Sequence, residues 1–183
     1  MNELADSYLI PDGTELEDVK DGIRVHGRFD EEPPRTMTRT FFDDFEWSLY
    51  LAGASVEELQ DGGRRVIVWR DLRGEDSNLE ERMETAPGFA RDLPPGALCE
   101  RLVPVLGVRR LLPLVRVHTE AQMMHLLNDD GKTVARLVVE QNSSSDPERE
   151  RQGALASRLR LLPVRGYECE QAQAALMLKQ DLG

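Results

Sequence analysis

The sequence predicts a mainly β protein of the α+β class, an antiparallel barrel of about eight strands with a few peripheral helices. Short segments rich in apolar and β-branched residues recur along the chain, and turn signals such as Asp61-Gly62-Gly63 and Asp130-Gly131 separate them. Few segments have helical periodicity. Because closing a sheet into a barrel removes its exposed edges, we expect these strands to form a closed or nearly closed barrel.

The N-terminal third predicts a strand, a short helix and further strands. Tyr8 begins a short apolar strand that Pro11 ends. Thr14 stands three residues before Glu17, a capping-box pattern that begins a helix of about two turns, and Gly22 ends it. Strand composition follows at 23–29 and 36–42, and residues 48–53 form a helical turn or a short strand.

The rest of the chain continues this pattern of strands with sparse helices. A helix is expected over residues 93–106, where Leu98, Leu102 and Val105 share one face. The Asp-Gly pair at 130–131 lies between apolar segments and is typical of a tight hairpin turn. Further strands are expected at 64–72, 79–85, 111–127, 132–141 and 156–166, a polar loop at 142–153 and a terminal helix at 170–179.

Composition limits the classes of function. The chain has 183 residues, 40% of them hydrophobic, which fits a single domain over residues 1–183 with a substantial core. No apolar run approaches the roughly 20 residues that a membrane span needs, and no signal-type segment opens the chain, so we expect a cytoplasmic protein without a membrane partner. The net charge of −11 argues against broad nucleic-acid binding. Cys99 and Cys169 lie far apart and indicate neither a disulfide nor a thiolate zinc site.

Four segments of the chain carry a resemblance to a known family. They are ELADSYLIP at 3–11, TRTFFDDFEWSLYLAG at 38–53, RVIVWRDL at 65–72 and DDGKTVARLVVEQ at 129–141. Their order is similar to that of CYTH, or triphosphate-tunnel, domains, and the last segment is close to CYTH domains that precede helical CHAD domains. The resemblance implies a CHAD-type partner domain associated with polyphosphate, and a natural chain that continues past Gly183.

The resemblance also implies a fold and a chemistry. CYTH enzymes form an eight-stranded antiparallel tunnel, bind triphosphates with arginine and lysine, and use glutamates to hold Mg²⁺ or Mn²⁺ for phosphoryl hydrolysis. Both parts are needed, because hard cations require several oxygen ligands and the metal neutralises charge on the transferred phosphoryl group.

Transferred position by position, the resemblance leaves the metal site incomplete. The family's first-strand glutamates and lysine fall on Glu3, Ala5 and Ser7, and the carboxylates that remain for a metal are Glu3, Glu84 and Glu140. Arginines stand where later strands of the family carry metal-supporting groups, and guanidinium groups repel a cation. The residues expected to bind an anion are Arg70, Arg82, Arg116, His118, Arg136, Arg158 and Arg160.

Three functions stay open at this point. The first is a degenerate CYTH-like module without catalysis, which binds triphosphate or polyphosphate or acts as a structural partner. The second is a triphosphatase dependent on Mg²⁺ or Mn²⁺ with an altered site, and the third is a protein-interaction module on a barrel scaffold. An alternative interpretation of the arginines is that they only neutralise glutamates such as Glu80, Glu84 and Glu140.

Other polar and aromatic groups are expected to be structural. Asp43 and Asp44 are expected to shape a turn, and the aromatic residues around them, including Phe45 and Trp47, to lie in the core. None of the three histidines has the spacing typical of zinc ligands.

Overall fold

The computed structural model describes residues 6–11, 13–74, 77–149 and 151–182, which form nine strands and four α-helices. The strands are β1 (Asp6–Leu9), β2 (Arg28–Glu31), β3 (Arg35–Asp43), β4 (Ala54–Asp61), β5 (Arg64–Asp71), β6 (Leu79–Arg82), β7 (Leu112–Leu127), β8 (Thr133–Ser145) and β9 (Gln152–Leu162). The helices are α1 (Leu16–Arg24), α2 (Ser48–Leu51), α3 (Ala97–Leu106) and α4 (Glu168–Leu182), and a short 3-10 helix covers Ala90–Asp92.

The strands form one antiparallel sheet, which confirms the predicted mainly β fold. Eight of them follow the order β1-β9-β8-β7-β3-β4-β5-β6, and β2 pairs with β7 beside this path. The ninth strand is therefore an addition to the predicted eight. Among the described residues the path ends at β1 and at β6 with no ladder joining them, so the predicted closure is not seen.

Contacts divide the chain into two compact units, each made of segments distant in sequence. Unit 1 comprises Met1–Arg35, Thr119–Ser143 and Ala154–Gly183, and unit 2 comprises Thr36–His118 and Ser144–Gly153. Each unit has its own hydrophobic core. The expectation of a single domain over the whole chain stays a prediction.

The core of unit 1 lies between helices α1 and α4 and one face of its strands. Leu159 and Leu161 on β9, and Leu137 and Val139 on β8, all belong to this core. Because alternate residues of a strand point to opposite faces, the residues between them face away from the core. Burial of these apolar side chains therefore fixes which face of β8 and β9 presents charged groups.

The core of unit 2 lies between α2, α3 and one face of β3, β4 and β5. Phe42, Val56 and Trp69 lie opposite one another across these three strands and belong to the core. The neighbouring row, which faces the other way, contains Glu57 opposite Val68. As in unit 1, the charged face of the sheet is the one opposite the helices.

Several element boundaries differ from the sequence prediction. The strand expected at 23–29 is wrong at its start, because Ile23 packs with Val19 on one face of α1 and the strand begins only at Arg28. Strand β4 was not predicted, since its acidic residues interrupt the apolar pattern. The loop expected at 142–153 is instead the end of the β8–β9 hairpin.

The turns and thiols follow the prediction more closely. Gly63 and Gly131 have φ values of 86° and 75°, a left-handed conformation that glycine adopts without strain, and they lie in the two hairpin turns expected from the sequence. Both cysteines are free thiols. None of the described helices is long and apolar enough to cross a membrane.

Candidate functional site

The predicted site residues lie in both units. Unit 1 contains Arg136, Glu140, Arg158 and Arg160, and unit 2 contains Arg70, Arg82, Glu84, Arg116 and His118. Glu3 lies outside the described residues.

In unit 1 the predicted residues share one sheet face, here called the β8–β9 arginine face and defined by Arg136, Glu140, Arg158 and Arg160. Each alternates with core residues of its own strand, so all four point away from the core. A contact of 3.3 Å between Arg160 Nε and Glu140 Oε1 shows that the two strands present these side chains to the same side.

This face has an excess of positive charge. The four side chains that define it, three guanidinium groups and one carboxylate, have a net charge of +2. Farther along the same side of the sheet, beyond β7, the exposed Asp30 of β2 lies opposite His125. Arg136 and Arg158 are exposed, and no described carboxylate lies within ion-pair distance of either. Strand β1 places Ser7 and Leu9 opposite Arg160 and Arg158, so no acidic residue is added from that side.

The Glu140–Arg160 pair is incompletely bonded. The side chain of Glu140 is 10% exposed and that of Arg160 is 42% exposed. Although the two atoms are within ion-pair distance, Arg160 Nε is buried and has no hydrogen-bond partner. The contact is therefore an ion pair without hydrogen-bond geometry, a weaker arrangement than an aligned guanidinium–carboxylate bond.

In unit 2 the corresponding arginine is tightly held by a carboxylate that the sequence prediction missed. Arg70 Nε donates a hydrogen bond of 2.7 Å to Oε1 of Glu57, Arg70 Nη2 lies 2.6 Å from the same oxygen as an ion-pair contact, and Glu57 is 1% exposed. The signal was present in the sequence: the Asp61-Gly62-Gly63 turn sets the β4–β5 register, which places Glu57 diagonal to Arg70 on one face.

Arg82 lies on the same face of unit 2 as Arg70. It stands opposite Val66, in a row that continues through Leu59 to Arg39. Arg39 was also missed by the sequence prediction, and its Nε atom is buried without a hydrogen-bond partner. This face of unit 2 therefore carries one arginine, Arg39, besides the predicted Arg70 and Arg82.

Arg116 and His118 do not share that face. His118 lies between two hydroxyl groups, with Nδ1 3.3 Å from Thr38 Oγ1 and Nε2 3.2 Å from Ser145 Oγ. Thr38 and Arg39 are consecutive on β3 and point to opposite sides, so His118 lies on the side away from Arg39, Arg70 and Arg82. Arg116, two residues earlier on β7, falls on the side of His118.

The described residues do not fit a magnesium or manganese site. Glu84 follows β6, and its backbone carbonyl accepts a hydrogen bond of 2.8 Å from Arg65 Nη1. Glu57 and Glu140 are both paired with arginines. Within the described ranges no group of three or more His, Cys, Asp or Glu side chains could hold a metal ion.

Asp43 and Asp44 shape the turn before α2, as predicted. Asp43 accepts hydrogen bonds from the amides of Asp44, Leu49 and Tyr50, at 2.8 to 3.0 Å. Burial acts to raise the pKa of Asp44, but hydrogen bonds from Ser48 and the Glu46 amide outweigh it, so the pKa is lowered.

The aromatic residues of this turn contradict their predicted place in the core. Phe45 is 88% exposed and Trp47 is 54% exposed, and Tyr50 and Leu51 are exposed as well. Phe42 and Leu49 are the residues of this segment that belong to the core. The reason is local: the carboxylates of Asp43 and Asp44 organise the turn from inside, so the intervening side chains point outward.

A pocket of about 760 Å³ lies elsewhere in unit 1, between α4 and the end of β7. Apolar side chains such as Leu126, Val134 and Met177 line it together with polar ones such as Arg28 and Glu170. None of the predicted site residues contributes to it, so it is separate from the β8–β9 arginine face.

Comparison with known proteins identifies the fold. No protein-family model matches the sequence, and no curated protein matches it significantly. A candidate adenylate cyclase from Bacillus halodurans superposes with a TM-score of 0.54 at 12% identity, covering 97% of this chain and 88% of the other. The chain has the CYTH-like fold.

A second solved structure supports the same conclusion. A candidate adenylyl cyclase from Hippeastrum, which has a dominant triphosphatase activity, superposes with a TM-score of 0.56 at 12% identity, covering 96% of this chain and 86% of the other. At 12% identity the similarity shows the fold of the chain. What the chain binds depends on its own side chains.

Proposed function

We propose that this CYTH-like chain binds phosphate-rich anions, of which inorganic triphosphate is the simplest, without a metal and without hydrolysing them. The observation that carries the proposal is the net charge of +2 on the β8–β9 arginine face, where Arg136 and Arg158 are exposed and have no described carboxylate partner. In a chain with a net charge of −11, such a local excess of arginine attracts anions to this face.

Guanidinium groups suit this ligand class. Each presents a planar array of N–H donors that bonds phosphate oxygens in pairs, and it stays charged at any physiological pH. The strand spacing of roughly 6.6 Å between Arg158 and Arg160 allows both to contact one extended triphosphate.

The lack of hydrolysis follows from the acidic groups. Phosphoryl transfer in this fold family depends on a divalent cation held by several carboxylate oxygens. In the described part of the chain Glu57 and Glu140 are each engaged by an arginine, and Glu84 has no acidic neighbours arranged for a metal.

The test is calorimetry with sodium tripolyphosphate in the presence of EDTA. We expect the wild-type protein to bind with a Kd of about 0.1 to 1 mM at low salt. An Arg136→Ala/Arg158→Ala variant should lose this binding, whereas Arg149→Ala, which changes an exposed arginine in the β8–β9 turn, should not. Undetectable wild-type binding at millimolar ligand would contradict the proposal.

A second candidate function is a metal-dependent triphosphatase, favoured by the activity of the Hippeastrum structural neighbour. Phosphate release from tripolyphosphate with Mg²⁺ or Mn²⁺ separates the two candidates. We expect no release above the protein-free rate. Metal-dependent turnover that Glu140→Gln abolishes would favour the enzyme.

A third candidate is an interaction module, favoured by the exposed Phe45, Trp47, Tyr50 and Leu51 around α2. A helical domain of the CHAD type is the partner that the sequence resemblance suggests. Indifference to both tripolyphosphate and metal, together with binding to such a domain, would favour this role.

A further inference from the structure

We infer that Glu140 is an internal competitor for the anion on the β8–β9 arginine face, and that Arg70 takes no part in anion binding because Glu57 holds it. This inference rests on the proposed function and specifies how the anion site is regulated. It follows from the difference between two glutamate–arginine pairs of the same chain.

Arg70 is unavailable to a ligand because its counterion is buried. Two N–H groups of Arg70 contact the same oxygen of Glu57 at 2.6 and 2.7 Å, and Glu57 is almost completely shielded from solvent. If Arg70 turned to a ligand, it would leave a buried carboxylate without a counterion, which is among the costliest changes in a folded protein. An anion therefore cannot recruit it.

Arg160 is available because its bond to Glu140 is poor. The contact is longer, at 3.3 Å, and Nε lacks a hydrogen bond. The two arginine side chains are almost equally exposed, 42% for Arg160 and 40% for Arg70, so the difference between them lies in their bonding. Arg160 shares its face with Arg158 and Arg136, which have no carboxylate of their own among the described residues. A triphosphate can therefore approach Arg160 with little loss of existing bonding.

Glu140 nevertheless opposes that approach. A carboxylate 3.3 Å from Arg160 lies within a few ångströms of any phosphate oxygen that contacts the same guanidinium, and like charges at that distance repel strongly in a partly buried site. The Glu140 carboxylate and a phosphate oxygen of the ligand therefore compete for the same guanidinium group. Its removal should strengthen anion binding while removing no donor from the site.

The experiment compares two isosteric variants by calorimetry with sodium tripolyphosphate in EDTA. Glu140→Gln should bind about tenfold more tightly than the wild type, since one repelled unit charge in a partly screened site corresponds to at least one order of magnitude. Glu57→Gln is the matched control on the other pair and should leave the Kd within about twofold. Thermal unfolding of each variant verifies that it is folded.

A further variant tests the face without touching a buried pair. Arg158→Gln, at an exposed position, should weaken binding about tenfold through loss of one charged contact. Weakening by Arg158→Gln shows that the anion binds at this face, so a change caused by Glu140→Gln can be assigned to the carboxylate. If Glu140→Gln fails to fold, Glu140→Asp, which withdraws the carboxylate by one methylene group, is the second variant and should also tighten binding.

The outcomes separate this inference from the proposed function. Wild-type binding that Arg158→Gln weakens but Glu140→Gln leaves unchanged would overturn the inference alone. Equal tightening by Glu140→Gln and Glu57→Gln would overturn the exclusion of Arg70. No binding by the wild type or by any variant would overturn the proposed function itself.

Discussion

The Glu57–Arg70 pair of unit 2 is hydrogen-bonded, whereas the Glu140–Arg160 pair of unit 1 is an ion pair without a hydrogen bond. Asp43 accepts hydrogen bonds from three backbone amides at 2.8 to 3.0 Å, and Glu57 accepts one of 2.7 Å from Arg70 Nε. Glu140, also buried, lies 3.3 Å from Arg160 Nε, which has no hydrogen-bond partner. A buried carboxylate that is hydrogen-bonded to its arginine holds that arginine in place. An arginine that makes an ion pair without hydrogen bonds keeps N–H donors that a ligand can use.

Breaking the tighter pair should have the largest effect on stability. Arg70→Ala leaves Glu57 buried without a counterion and should lower the free energy of unfolding by about 3–5 kcal/mol. Arg160→Ala, the matched change in unit 1, should cost less, about 1–2 kcal/mol, because Glu140 keeps more contact with water than Glu57, 10% against 1% exposure, and because the contact removed is not a hydrogen bond. Urea denaturation followed by circular dichroism measures both. An equal or larger cost for Arg160→Ala would invalidate the distinction between the pairs.

Removing the carboxylate of Asp43 should have the second largest effect on the free energy of unfolding. Asp43→Ala leaves the buried amides of Asp44, Leu49 and Tyr50 without their acceptor and should cost about 2–3 kcal/mol. Asp43→Asn keeps one acceptor oxygen and should cost roughly half as much. The same denaturation experiment applies. If alanine and asparagine had the same small effect, the turn would not depend on this carboxylate.

The smallest effect should come from a well-bonded but accessible carboxylate of unit 1. Arg24 donates to both oxygens of Glu31 at 2.8 and 3.0 Å, and these hydrogen bonds lower the pKa of Glu31. Because a lowered pKa stabilises the fold only while the group is ionised, this contribution is present above about pH 4.5 and is lost as the pH falls through the folded-state pKa.

Glu31→Gln should therefore cost about 0.5 kcal/mol at pH 7, and the difference from the wild type should shrink between pH 5 and pH 3. Melting temperatures measured across this range would show it. A difference that grew on acidification would contradict the assigned direction of the pKa shift. A small loss of stability in Glu31→Gln beside a large loss in Arg70→Ala would show that burial, rather than the number of hydrogen bonds, determines how much an ion pair contributes to stability.

Local signals in the sequence were sufficient for much of the architecture. Gly63 and Gly131 mark turns whose left-handed conformation requires no knowledge of distant residues, and they delimit the strands around them. Strand β4 was missed because Glu57 and Glu58 interrupt the apolar alternation that identifies a half-buried strand. The error at 23–29 arose because Ile23 fits both a strand and the last turn of α1.

The candidate site was less predictable, since it depends on which strands are neighbours. Spacing by two places Arg116 and His118 on one side of β7, but only the contact with Thr38 reveals that this side is not the side of Arg70. Likewise, the partner of Arg160 could be identified only once β8 and β9 were seen to present Glu140 and Arg160 together. Such pairings are non-local and leave no periodic signal in the sequence.

The placement of the two tryptophans makes the chain a selective optical reporter. Trp69 is 5% exposed, with the guanidinium carbon of Arg101 4.8 Å from its ring centre, whereas Trp47 is at the exposed turn before α2. Both belong to unit 2, and the sequence contains no other tryptophan. Tryptophan fluorescence therefore reports on the unfolding of unit 2 alone. The aromatic residues Tyr8 and Tyr167 of unit 1 are tyrosines, which do not contribute to tryptophan emission excited at long wavelength. Emission that changed before the far-ultraviolet signal on heating would show that the two units melt as separate cooperative blocks.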